Sequence, residues 1–77
     1  MRKYQKYTFV GPDGREVPGK RQINGDGTPG GWVAVTAKID PSAVIEIDAV
    51  VEPGAYVGPG IRLRSGYIVP AGTKLTL

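Results

Sequence analysis

From Val33 to Leu77 the chain keeps an unbroken period of six. Cut at every sixth residue it reads VAVTAK, IDPSAV, IEIDAV, VEPGAY, VGPGIR, LRSGYI, VPAGTK and LTL. The first place is always aliphatic: Val33, Ile39, Ile45, Val51, Val57, Leu63, Val69 and Leu75. The fifth is small in five of seven blocks, and Ile61 and Tyr67 are the exceptions. Side chains alternate across a strand, so the fifth place of one block and the first of the next point inward, with one outward residue between them. The third and fourth places must then turn a corner. Most are suited to it: Pro41-Ser42, Pro53-Gly54, Pro59-Gly60, Ser65-Gly66 and Ala71-Gly72. Proline presets φ and glycine accepts a positive φ. Val35-Thr36 and Ile47-Asp48 depart from this. Asp tolerates the left-handed region and Thr does so poorly, which makes the corner at Thr36 the weakest.

On these blocks the chain resembles the bacterial hexapeptide-repeat family, which folds as a left-handed parallel β-helix of triangular section. The resemblance covers about 45 of the 77 residues. It implies the handedness, three blocks to a turn and neighbours 18 residues apart, and it hints at a trimer. The expected fold is therefore all-β: a short left-handed parallel β-helix over 32–77, about two and a third turns long. An N-terminal β-hairpin over 1–23 and a Gly-rich linker over 24–31 precede it within one domain, 1–77. In layout alone, hairpin then Gly-Gly-Trp then solenoid is similar to small phage and prophage repeat proteins.

So short a solenoid has two open ends carrying unpaired strand edges. The N-terminal segment is expected to cap or brace it, and the chain is expected to associate with itself as a homotrimer or a higher multiple. Within that segment, Lys3–Val10 has strand-like composition, Gly11-Pro12-Asp13-Gly14 reads as a type I turn, and Arg15–Val17 can return as a second strand. The stretch Asn24-Gly25-Asp26-Gly27-Thr28-Pro29-Gly30-Gly31 lacks the following helix or the Gly-Lys-Ser/Thr ending of a phosphate cradle. It reads as a flexible linker.

Stacking at 18 residues sorts the outward residues into three faces. Trp32, Val50 and Ile68 form an apolar column, read either as a subunit interface or as the seat of the N-terminal hairpin. A second face sets Val44 over Arg62 and Glu46 over Arg64, with Glu46–Arg64 the expected ion pair. There Arg62 and Arg64 either lie solvated or grip a carboxylate or phosphate. The third sets Lys38, Tyr56 and Lys74 in line, an aromatic between two cations that could stack a base while the lysines meet phosphates. Gly58 beside it would let a ligand approach the backbone. Tyr67, too large for its place, is expected to close the C-terminal end.

The family's best-known members are acyltransferases and carbonic anhydrases that depend on His. This chain has no His and no Cys. No position can inherit that chemistry, and Asp40, Glu46, Asp48 and Glu52 fall on different faces and corners. No catalytic residue, metal or cofactor is expected. The net charge of +3 falls short of a nucleic-acid signature. Without an apolar span or signal-like start, a cytoplasmic location away from membranes is expected. The function expected is a non-catalytic homo-oligomeric module that sequesters an anionic, nucleotide-like small molecule at subunit boundaries through Lys38, Tyr56, Arg62, Arg64 and Lys74. Two alternatives stand beside it: a structural or protein-interaction module such as a phage-type accessory protein, and a degenerate transferase-like enzyme.

Overall fold

A computed structural model describes residues 7–11 and 13–77. The described chain is all-β, and its period-six portion forms three small sheets of parallel strands. Each block contributes one two-residue strand: β4 (Lys38–Ile39), β5 (Val44–Ile45), β6 (Val50–Val51), β7 (Tyr56–Val57), β8 (Arg62–Leu63), β9 (Ile68–Val69) and β10 (Lys74–Leu75). Strands 18 residues apart pair in register, as in Lys38 with Tyr56, Val44 with Arg62, and Val50 with Ile68. The first and fifth places meet inside. Val33, Ile45, Val51, Val57 and Val69 are fully buried, and Ala43, Ala49 and Ala55 fill the space between them.

The corners follow the turn chemistry, with one addition. Asp48 takes φ 73°, joining Gly54, Gly60, Gly66 and Gly72 in the left-handed region. Thr36 and Ser42 stay out of that region and use their hydroxyls instead, accepting from the amides of Gly54 and Gly60 on the next turn at 3.1 Å each. The corner at Thr36 is thus tied to its neighbour by a side chain.

The N-terminal third extends one of the three sheets. Strands β1 (Tyr7–Val10) and β2 (Glu16–Ile23) form an antiparallel hairpin, and β2 pairs with β3 (Pro29–Ala34), giving the order β1-β2-β3-β6-β9. The expected first strand began at Lys3, and its opening residues lie outside the described residues, as does Pro12 of the expected type I turn. The Gly14 amide donates to the Gly11 carbonyl at 2.9 Å, closing a turn at that point. The return strand runs well past Val17, because β2 finds a second partner in β3.

The segment 24–31 departs most from expectation. Asn24 to Thr28 form a tight turn closed by the Asn24 amide on the Thr28 carbonyl at 2.9 Å, and Pro29–Gly31 already belong to β3. The β2–β3 register slips between Arg21 and Ile23, where β3 carries an extra residue, as in a bulge. A Cβ on Gly31 would collide with the Ala49 backbone, and one on Gly30 with the Ile45 carbonyl. These glycines answer a close approach of backbone to backbone, so this stretch is a fitted cap over the stack.

Candidate functional site

The sheet with the Trp32, Val50 and Ile68 column has its upper part covered from within the chain. Tyr7 stacks on Trp32 with ring centroids 5.4 Å apart, and Arg21 sits 4.9 Å from the indole centre on its cross-strand partner. Phe9 is buried beside them, and its ring lies over Gly19, where a Cβ would stand 2.7 Å from it. At Trp32 this face is thus covered by side chains of β1 and β2. Ile68, at the other end of the column, remains 54% exposed.

On the third face the register is as the period dictates: Lys38, Tyr56 and Lys74 lie on adjacent strands. The Lys74 ammonium lies 5.6 Å from the Tyr56 ring centre, within cation–π range. Gly58 does not open this face to a ligand. A Cβ there would meet the Tyr56 ring at 3.4 Å and the Thr76 methyl at 3.5 Å, so the chain's own side chains occupy the approach.

On the second face the ion pair forms with a different partner. Glu46 accepts from Arg62 Nε at 2.7 Å with one oxygen and from the Ser65 amide at 3.1 Å with the other. The expected Glu46–Arg64 pair does not form, because the corner amide holds the carboxylate where it reaches diagonally to Arg62. The Arg62 bond, then the Ser65 amide, hold the Glu46 carboxyl below its ordinary range. Arg62 is thereby committed, while Arg64 is exposed and makes no ion pair among the described residues.

Among the described residues, strands β8, β9 and β10 are the free edges of the three sheets at the C-terminal end of the stack. Beside β8 and β10 lies a hollow of about 310 Å³ whose lining includes Arg62, Arg64, Tyr67, Ile61, Leu63 and Leu75. Tyr67 borders this hollow, 47% exposed, and leaves it open. Ile61 and Tyr67, the two oversized fifth places, line the hollow but were not among the ligand residues expected from sequence, although Tyr67 was expected at this end. Their size was the available signal, since a large residue where the stack accepts a small one must lie toward an end. The hollow brings Arg62 and Arg64 together with an aromatic rim. It does not bring in Lys38, which lies two strands from Leu75 on the same sheet, and neither Tyr56 nor Lys74 lines it.

The geometry defines an all-β chain with an apolar hollow at one end, whose lining includes Tyr67, Arg62 and Arg64. Comparison with known proteins finds no family model, no curated protein and no solved structure that matches. No helix among the described residues is long and apolar enough to cross a membrane.

Proposed function

We propose that this protein is a non-catalytic, self-associating module that holds an anionic small molecule with a flat ring, nucleotide-like in class, at the C-terminal end of its stack. In this reading the stack is a left-handed parallel β-helix of the hexapeptide-repeat kind. The hollow bordered by Arg64, Arg62 and Tyr67 over Ile61, Leu63 and Leu75 carries the reading. An apolar floor with a few convergent polar groups is the usual make-up of a small-molecule site. Tyr67 offers a ring edge or face for stacking, and Arg64 offers a guanidinium for phosphate or carboxylate. Arg62, already neutralised by Glu46, shapes the rim and orients the field. The hollow is shallow and open at the end of the stack, so a second copy seated there would enclose the ligand. Lys74, on the last turn, lies on the adjoining sheet.

Titration with a nucleoside diphosphate, followed by calorimetry and by native mass spectrometry, tests this. Arg64→Ala is expected to weaken binding by roughly tenfold or more with the oligomer mass unchanged. Wild-type affinity in that variant would remove the site from this end.

An assembly module is the second reading, favoured by the same free edges together with exposed Ile68. It differs in needing no ligand.

A further inference from the structure

The N-terminal end of the stack differs from the C-terminal end in how its strand edges are covered. Along each two-residue strand, backbone groups alternate between the two edges. Lys38 and Asp40 send their amides toward the next turn, to the carbonyls of Ala55 and Val57 at 2.9 Å each. Ile39, between them, therefore directs its N–H and C=O toward the N-terminal end. The same holds for Ile45, since Val44 and Glu46 donate to Ile61 and Leu63 on the next turn. Three sheets thus present three edges here, and two are capped. On the first sheet β2 lies along β3. At the second, the Asn24 side-chain amide takes the place of a peptide: its Oδ1 accepts from Ile45 N at 2.9 Å and its Nδ2 donates to Ile45 O at 3.0 Å. On the third, β4 is the outermost strand, and Ile39 has no partner on that side among the described residues.

Next to this uncapped edge is a cavity of about 490 Å³ whose lining includes Val33, Ala37 and Ile39 on one side and Lys20, Arg21 and Gln22 of β2 on the other. Lys20 pairs in register with Val33 and so shares its face, and it lines the cavity. Arg21 is engaged with the Gly30 carbonyl at 2.9 Å and with Trp32. Among the described residues the lining has no carboxylate.

We propose that this cavity binds a small anion bearing a primary carboxamide. Its carbonyl accepts from Ile39 N–H and its NH₂ donates to Ile39 C=O, repeating what Asn24 does for Ile45. A short aliphatic spacer lies over Val33, Ala37 and Ile39, and the anionic group meets the Lys20 ammonium. The two-bond recognition of an amide requires both a donor and an acceptor in the ligand, which separates this class from simple carboxylates.

Glutaramate, a primary amide joined to a carboxylate through three methylenes, is the probe. It is titrated into the ¹⁵N-labelled full chain and read by amide chemical shifts. The Ile39 amide is expected to shift saturably, and its hydrogen exchange to slow. The N,N-dimethylamide of the same acid, which cannot donate, is expected to bind roughly tenfold more weakly, as is glutaramate to Lys20→Gln. Lys20 is exposed, so this variant keeps the fold, which the unchanged spectrum of the core valines checks. An Ile39 amide that does not move, or moves equally with the dimethylamide, overturns the proposal. Shifts confined to Lys20 overturn it too, since they mark ion pairing alone.

Discussion

Asn24 is the one buried polar side chain among the described residues, 4% exposed, and its amide is fully used. It sits where a further strand would lie and supplies that strand's two hydrogen bonds. Removing it leaves the N–H and C=O of Ile45 unpaired at a site closed to water, and an unsatisfied buried group costs about 1–3 kcal/mol. Asn24→Ala is therefore expected to lower unfolding free energy by about 2–4 kcal/mol, measured by urea denaturation. Faster exchange of the Ile45 amide in the same variant would locate the loss. A stability within about 0.5 kcal/mol of wild type would show that water replaces the cap without penalty. Nothing in the sequence marks Asn24 for this task, since its contact spans 21 residues and belongs to no period. The inward valines and the three columns were legible because strand alternation and the 18-residue turn determine them. A single side chain folding back onto a strand edge follows no such rule. The choice of Arg62 over Arg64 by Glu46 was hidden for a related reason, since it depends on the corner amide of Ser65.

Among the elements, the corners share a device that repeats up the stack. A side-chain oxygen on one turn accepts from a corner amide on the next: Thr36 from Gly54, Ser42 from Gly60, Glu46 from Ser65 and Glu52 from Ala71, each at 3.1 Å. Three of these use a carboxylate oxygen or a hydroxyl held by one. Ser42 donates its hydroxyl to Asp40 at 2.6 Å while accepting from Gly60, which makes a relay from amide to hydroxyl to carboxylate. The Ser42 hydroxyl, then its amide, hold the Asp40 carboxyl below its ordinary value, and Arg62 does the same first for Glu46. A carboxyl whose pKa is depressed in the folded state adds stability that is present above its unfolded pKa. That stability is lost as pH falls through the depressed folded value. Thermal unfolding is thus expected to stay level down to the ordinary carboxylate range and to decline below it. Asp40→Asn combined with Glu46→Gln is expected to make that acid limb shallower while lowering the neutral plateau, the Thr28 hydroxyl and amide keeping a share of it through Asp26. Both groups are solvent-accessible, so salt should reduce the difference. An acid limb of unchanged slope in the double variant would place the pH dependence elsewhere.

For the whole molecule, the two ends of the stack differ. The N-terminal end is covered on two of three edges, by β2 and by Asn24, and the aromatic cluster of Tyr7, Phe9 and Trp32 braces it from outside. At the other end β8, β9 and β10 all present edges without a partner strand among the described residues. Unprotected strand edges are templates for pairing with another chain, and natural proteins seldom leave several of them open together. Ile68 continues the apolar column of Trp32 and Val50 to that same end, beyond the hairpin's cover. Self-association is therefore expected to use the C-terminal end, with Ile68 at the contact and Trp32 outside it. Ile68→Asp is expected to shift the chain toward monomer in sedimentation velocity with its circular dichroism preserved, because this side chain is exposed. Trp32→Asp is expected to act differently, lowering stability by breaking the Tyr7 and Arg21 contacts before it affects mass. If Ile68→Asp keeps the wild-type mass while Trp32→Asp dissociates a still-folded protein, the contact lies on the hairpin side and the open edges have another partner.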